Sequence, residues 1–247
     1  MNIKAATFNS AQGAGGKYTS PAAREAQATF LGKHGLDVVA LQEVDYMAAR
    51  SGYVFTALET LGLNGAVLDG GHQDEAVTLT YATDRGTLVF GEALPFDTAT
   101  EGGGHYGLAT FIGAEYPVRS VVRVKYEGPT DEQRIALIVR TDFFTVINTH
   151  LSVYGQYPRA YRANQLRQLG AIIAAEPGNL IIMGDFNCKF EEAAEGMGFA
   201  FSTMMQGRVD LSGIDQIISN NVVNRPYGVA TDTTDHGRAV FANLLFL

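Results

Sequence analysis

Cysteine is almost absent from this chain: Cys188 is the one thiol in 247 residues. Intrachain disulfides are therefore excluded, and a reducing, cytoplasmic setting is expected. No uninterrupted apolar run approaches the ~18 residues of a membrane-crossing helix, so no membrane span is expected. Residues Met1 to Phe8 alternate like a strand and lack the basic start, apolar stretch and cleavage site of a secretory leader. Basic residues are outnumbered: 18 Lys and Arg against 26 Asp and Glu leave a formal net charge of -8. A tight, sequence-blind nucleic-acid binder usually carries a basic face, so charge counts mildly against such a partner.

Several signatures of chemistry are missing as well. H-E-x-x-H and C-x-x-C do not occur, which disfavours zinc hydrolases of those types. G-x-S-x-G is absent, which argues against a serine esterase. The stretch Ala11 to Tyr18 sits where a phosphate-cradling loop would, but Ala11 replaces its first glycine and Tyr18 its Ser or Thr. It reads as a flexible glycine turn. There is no internal repeat, low-complexity tract or linker, so a single domain over residues 1–247 is expected.

What is present is an alternation of apolar strands with a few helices. Residues 2–8 and 37–42 read as strands, followed by 76–82, 86–91, 105–113 and 118–126. Residues 134–140 and 143–148 flank Thr141-Asp142 as a tight hairpin. The strands 180–183, 214–218 and 238–245 complete the set. Helices are expected from Ser20-Pro21 to near Gly35, over 54–61, and over 158–175, where Ala160, Ala163, Leu166, Leu169, Ile172 and Ile173 recur at helical spacing. Residues 10–19, 69–75, 97–104 and 127–133 read as surface loops. Hairpins mixed with few helices fit two sheets packed together with helices outside, better than one parallel sheet.

Polar residues stand where apolar strands should stop. Glu43 follows the strand ending at Gln42, a position at which open sheets place ligands, and Mg²⁺ prefers one or two carboxylates with water. Asp185 and Asn187 flank Phe186 behind a buried strand, and their spacing of two points both to one side in extended backbone. His150 shares a strand face with Asn148. Asp215 sits in an otherwise apolar strand and needs a partner, for which a histidine is suitable. Asp235-His236 is a further such pair. Taken singly, each also has an ordinary structural reading. Cys188 abuts the turn after Asp185 and has no companion cysteine, so a packing role is expected.

Together the phrases Thr7-Phe8-Asn9, Leu41-Gln42-Glu43-Val44, Asn148-Thr149-His150-Leu151, Gly184-Asp185-Phe186-Asn187, Ile214-Asp215-Gln216-Ile217 and Thr234-Asp235-His236 resemble, in order, the six signatures of the endonuclease/exonuclease/phosphatase superfamily. Gly103 to Thr110 resembles its glycine–tyrosine strand, and Arg162-Ala163-Asn164-Gln165 its short helix step. The resemblance implies a four-layer α/β/β/α sandwich with two mixed β-sheets packed face to face and helices outside. It implies Mg²⁺ or Mn²⁺ and direct attack of water on a phosphate ester. Carried over, Glu43 is the main metal ligand, with Asn9 and Asp235 beside it. Asp185 orients or deprotonates the water, and Asn187 holds a phosphoryl oxygen. His236, paired with Asp215, binds phosphate or acts as base; His150 donates to phosphate oxygens. His105, Tyr106 and Arg162 are expected to contact substrate.

A free carboxylate with a pKa of about 4 is a poor base at neutral pH, so base duty stays divided between Asp185 and His236. Two departures lie on the expected substrate side: Phe111 to Tyr116 lacks the family's usual basic residue and contains Glu115, and Asp69 to Gly91 is long. The leading expectation is a nuclease acting on DNA or RNA. The alternatives are a phosphodiesterase or phosphatase for a small phosphate compound or phospholipid head group, and an inactive binding scaffold. No obligate protein partner is inferred.

Overall fold

The computed structural model describes residues 1–9, 32–46, 67–73, 76–82, 84–94, 105–128, 133–153, 159–198, 209–210, 213–220, 222–230 and 238–247. Among them the order opens with β1 (Asn2–Asn9), β2 (Val38–Tyr46), β3 (Val67–Gln73), β4 (Ala76–Ala82) and β5 (Gly86–Leu94). It continues with β6 (His105–Gly113), β7 (Val118–Lys125), β8 (Ile135–Thr141), β9 (Thr145–His150) and helix α1 (Arg159–Ala175). It closes with β10 (Leu180–Asp185), helix α2 (Phe190–Met197), β11 (Val209–Asp210), β12 (Asp215–Ser219), β13 (Val222–Ala230) and β14 (Arg238–Phe246). The expected helix over 54–61 lies outside the described residues, as does all but the end of the one ending near Gly35.

Two mixed sheets form a sandwich with helices outside. One runs β13-β14-β1-β2-β6-β5-β4-β3, the other β11-β12-β10-β9-β8-β7. Each contains one parallel pair, β1 with β2 and β9 with β10, set among antiparallel neighbours. Strand alternation divides the side chains. Ile3, Ala5, Val38 and Ala40 face Val146, Ile181, Met183 and Ile217 in the core between the sheets. Ala6, Phe8, Val39 and Leu41 form a second buried layer on the outer face of the first sheet. On the outer face of the second, Ile147, Ile182 and Ile218 pack against Leu166, Leu169 and Ile173 of α1 and Phe190, Ala193 and Met197 of α2.

Four elements depart from the sequence reading, the least of them the two-residue β11, which was not expected. Residues 69–75, expected as a loop, fall largely within β3, which pairs with β4 at the sheet edge despite Gly70 and Gly71. Cross-strand pairing here outweighs the poor strand propensity of glycine. β13 carries Pro226 and lies at the opposite edge, where one missing N–H is tolerated. Helix α2 was not expected. It packs Phe190, Ala193, Ala194 and Met197 inward, has Glu191 and Glu192 in its first turn, and stops at Gly198 in left-handed conformation. Among the described residues no helix is long and apolar enough to cross a membrane.

Candidate active site

Both parallel pairs end at the same edge of the sandwich, and their C-terminal ends carry the polar residues. Asn9 ends β1, His150 ends β9 and Asp185 ends β10. Pairing aligns His150 with Asp185, and Asp185 with Asp215, so three adjacent strands of the second sheet present one row. By parity this row shares the inner face with Met183 and Ile217. Ligands in open α/β sheets bind at such carboxyl ends, because side chains there leave the packed core without leaving the rigid frame.

Glu43 reaches the row by a break in alternation. Leu41 pairs with Ala109 and Val44 with Gly107, so Gln42 and Glu43 together oppose Leu108. This is a β-bulge, and Glu43 takes a φ of 55° within it. Val39, Leu41 and Val44 all join the outer layer, whereas Glu43 turns to meet Asn9. A regular strand would leave Glu43 on the outer, apolar face. Positive φ on a residue with a Cβ is uncommon and costs about 1 kcal/mol or more.

The side chains meet at Asn9. Its Nδ2 donates to Glu43 Oε1 at 2.8 Å and to Asp185 Oδ2 at 3.1 Å. His150 Nε2 lies 3.6 Å from Asp185 Oδ2 and 4.0 Å from Glu43 Oε1. Asp185 is 1% exposed, and its Oδ1 accepts the Asn187 N–H at 2.9 Å. A buried carboxylate needs such donors. Asn187, itself at a φ of 50°, donates from Nδ2 to the Leu151 carbonyl at 2.8 Å. Leu151 N–H in turn donates to the Asp185 carbonyl. The segment after His150 and the turn after Asp185 therefore hold each other. Gly184 serves the same closeness: its φ is 147°, and a Cβ there would fall on the Thr149 carbonyl oxygen.

A polar bridge crosses the sandwich just below. Gln42 Nε2 donates to Asn148 Oδ1 at 2.8 Å and to Thr7 Oγ1 at 3.1 Å. Asn148 Nδ2 donates to the carbonyls of Leu41 and Ala109 and to Thr110 Oγ1. Gln42, Asn148, Thr7 and Thr110 are fully buried. The sequence reading gave Gln42 and Asn148 no task. A glutamine at an inward position of an apolar strand was the available signal, since a buried amide demands partners.

Arg162 lies in the helix layer. It is 2% exposed, and its Nη2 donates to Glu192 Oε1 at 2.6 Å while Nη1 reaches the Ser152 carbonyl at 3.4 Å. Gln165 accepts the Ser152 N–H and donates to Ser152 Oγ. These two helix residues thus grip the chain two positions beyond His150. His105 and Tyr106 begin β6 opposite Tyr46 and Asp45; their side chains, and all of Asp235 and His236, lie outside the described residues. Burial pushes the Cys188 thiol up to about 12, and it packs among apolar residues as expected.

Glu43 and Asp185 are hard oxygen donors drawn to one amide. Among the described residues no group of three or more His, Cys, Asp or Glu side chains is arranged to hold a metal. Two carboxylates are nevertheless the number with which Mg²⁺ is commonly held, water and substrate oxygens completing the shell. The donor set fits a hard divalent cation.

Two packed mixed sheets with carboxylates, amides and an imidazole gathered at their strand ends define a layered α/β protein with a polar site at one edge of the sandwich. The chain belongs to the Endonuclease/Exonuclease/phosphatase family, whose model matches residues 6–236; the family's members are hydrolytic phosphoesterases. No curated protein matches it by sequence. Solved structures share the fold. Danio rerio TDP2 complexed with a single-strand DNA product is 15% identical, with a TM-score of 0.65 over 98% of this chain and 98% of that one. The mannosyl-6-phosphatase of Bacteroides thetaiotaomicron is 13% identical, with a TM-score of 0.57 over 99% and 100%. Sphingomyelinase C from Streptomyces griseocarneus is 16% identical, with a TM-score of 0.58 over 98% and 99%.

Proposed function

We propose that this chain is a Mg²⁺-dependent phosphodiester hydrolase, a nuclease that cleaves DNA or RNA by direct attack of water on phosphorus. One observation carries the reading: a single amide, Asn9, holds two carboxylates from facing sheets within reach of one imidazole. Phosphoryl transfer needs positioning and charge neutralisation more than covalent chemistry, and this arrangement supports both. The cation, held by Glu43 with Asn9 and Asp235, would supply charge neutralisation at the phosphoryl oxygens. Asp185 orients the water and shares the role of proton acceptor with His236, which Asp215 positions. His150 and Asn187 donate to phosphoryl oxygens; His105 and Tyr106 serve the substrate side, whereas Arg162 is held in the helix layer by Glu192 and Ser152 and positions the chain after His150. One cysteine supports a cytoplasmic setting.

The test is cleavage of plasmid and single-stranded oligonucleotides at low salt with Mg²⁺. Activity is expected to vanish in chelator and in Glu43→Gln, and to fall steeply with salt. No cleavage of any DNA or RNA form by folded protein would remove the nuclease. The net charge of -8 favours a second reading, hydrolysis of a small phosphate compound or phospholipid head group. Turnover confined to small phosphoesters would support it. A Glu43→Gln protein that matches wild type in every hydrolysis assay would favour the binding scaffold.

A further inference from the structure

The turn that carries Asp185 and Asn187 is gripped from both flanks. β10, which leads into it, lies between β9 and β12. On the β9 flank, Asn187 Nδ2 donates to the Leu151 carbonyl. On the β12 flank, Phe186 N–H donates to the Ile214 carbonyl at 2.8 Å and Gln216 Nε2 to the Cys188 carbonyl at 2.7 Å. Alternation along β12 separates two tasks. Ile217 lies in the core between the sheets and Ile218 in the helix layer, so Asp215 faces the site and Gln216 faces the helices. Phe186 and Cys188 pack in that same layer. Gln216 therefore reaches the turn from behind, on the side away from the reacting groups.

A glutamine is a costly choice at that place. Gln216 is fully buried, paired with Gly184 on one side and Asp210 on the other. Among the described residues no donor meets its Oε1. A buried acceptor left unsatisfied costs as much as one amide hydrogen bond returns, or more. Stability alone thus gives little reason for an amide here, where an apolar residue of the same length would fill the layer. What the amide supplies is a fixed point. Asn187 takes a φ of 50°, a conformation that persists in a residue with a Cβ only where its surroundings over-determine it. Cys188 is the next residue, and its carbonyl is the group that Gln216 holds.

We propose that Gln216 is a positioning residue for hydrolysis. By anchoring the Cys188 carbonyl it keeps Asn187 in its left-handed conformation and keeps the Asp185 carboxylate aimed at the attacking water. The inference rests on the phosphoester hydrolase reading for its effect on turnover, and on the geometry of the turn alone for the anchor. Gln216 touches no substrate. Misplacing groups that act on the reacting atoms slows the chemical step more than it weakens binding, so the effect falls on kcat.

The experiment compares two variants of similar shape. Gln216→Met keeps the length but has no donor. Gln216→Glu keeps a donor at pH 6, because a carboxyl so deeply buried holds its proton. The probes are a single-stranded oligonucleotide and bis(4-nitrophenyl) phosphate, each with Mg²⁺. Gln216→Met is expected to lose at least tenfold in kcat with KM within threefold of wild type, and Gln216→Glu to turn over at least threefold faster than Gln216→Met. Amide hydrogen exchange in chelator, which needs no turnover, is expected to quicken at least tenfold at Asn187 N–H in Gln216→Met and to stay within threefold at Ile182 in β10. A smaller loss of kcat overturns the inference. So does a larger change in KM, a glutamate variant no faster than the methionine one, or exchange that quickens along all of β10 or not at Asn187. If Gln216→Met does not fold, Gln216→Glu decides: its kcat relative to wild type should fall at least tenfold between pH 6 and pH 9 as the proton leaves, and a flat ratio overturns the inference. If wild type hydrolyses neither probe, the hydrolase reading fails, while the exchange result still judges the anchor; the two failures are distinct.

Discussion

Replacing the buried amides that bridge the sheets is expected to reveal a coupled pair. Gln42 and Asn148 are fully buried and joined at 2.8 Å. Gln42→Met keeps the shape of the side chain but leaves Asn148 Oδ1 without that donor. An orphaned buried polar group costs about 1–3 kcal/mol; loss of the bond to Thr7 adds less, because Thr7 Oγ1 still donates to the Ala40 carbonyl. We expect about 2–4 kcal/mol. Asn148→Leu removes one of the two acceptors of Gln42 Nε2, leaving it Thr7 Oγ1, and strips a donor from Thr110 and from the Leu41 and Ala109 carbonyls, for a similar or larger loss. The double variant removes both members, so its cost should fall short of the sum by about 1–3 kcal/mol. The assay is urea unfolding of the four proteins at fixed pH in chelator, so that ligand binding adds nothing. Additivity within ~0.5 kcal/mol would refute the bridge. Because Gln42 precedes the bulged Glu43, the double variant should also turn over at least tenfold more slowly while folded.

Asp185→Asn is expected to lower kcat by about 10³-fold or more, the range of general acid–base contributions, with stability changed by less than about 2 kcal/mol; a loss above ~4 kcal/mol would mark Asp185 as a core residue. Glu43→Gly and Glu43→Ala should both be inactive, but the glycine variant should be about 1 kcal/mol more stable, since only alanine keeps a Cβ at a φ of 55°; equal stabilities in urea would mean no strain is stored there. The Cys188 thiol ionises near 8.5 when unfolded but is pushed up to about 12 in the fold. Between those values the native state keeps a proton that the unfolded state has lost, so stability falls as pH rises, by up to about 1.4 kcal/mol per unit. Burial also raises Tyr126 above its ordinary value and adds the same sign above pH ~10. Urea midpoints at pH 8.5 and 10.5 should therefore drop less in Cys188→Ala than in wild type.

Most of the frame was legible because its strands obey simple parity. β9 and β10 are recognisable from their apolar residues, although the sequence reading ends both two residues early, at 148 and 183 and not at His150 and Asp185; the face shared by Asn148 and His150 follows from alternation. Helix α1 announced itself through Leu166, Leu169 and Ile173. Helix α2 carried the same signal, Phe190, Ala193, Ala194 and Met197 at helical spacing, but over 8 residues, too few to stand out. β3 and β13 were hidden by Gly70, Gly71 and Pro226, whose propensities are overridden by pairing at the sheet edges. Arg162, read from the sequence as a substrate contact, is engaged by Glu192 and Ser152 across the α1–α2 contact. No pattern in the sequence marks which cation pairs with a distant helix and which lines a cleft, because that depends on helix packing.

The bulge at Glu43 ties these observations together. A site built from two facing sheets must bring side chains across a packed core about 10 Å thick, yet strict alternation offers only inward or outward positions. Gln42 takes the inward position and is spent on Asn148. The next residue would then point away, toward Leu41 and Val39. An extra residue against Leu108 changes this: it advances the strand by one place and frees Glu43 to turn inward above Gln42. The strained φ of Glu43 is the local cost, and the amide bridge beneath it is what over-determines the geometry. Asn9 then needs only its short side chain to touch Glu43 from one sheet and Asp185 from the other. Precision at the site thus comes from buried, chemically inert amides one residue away, which is why disturbing Gln42 should harm turnover although it touches no substrate.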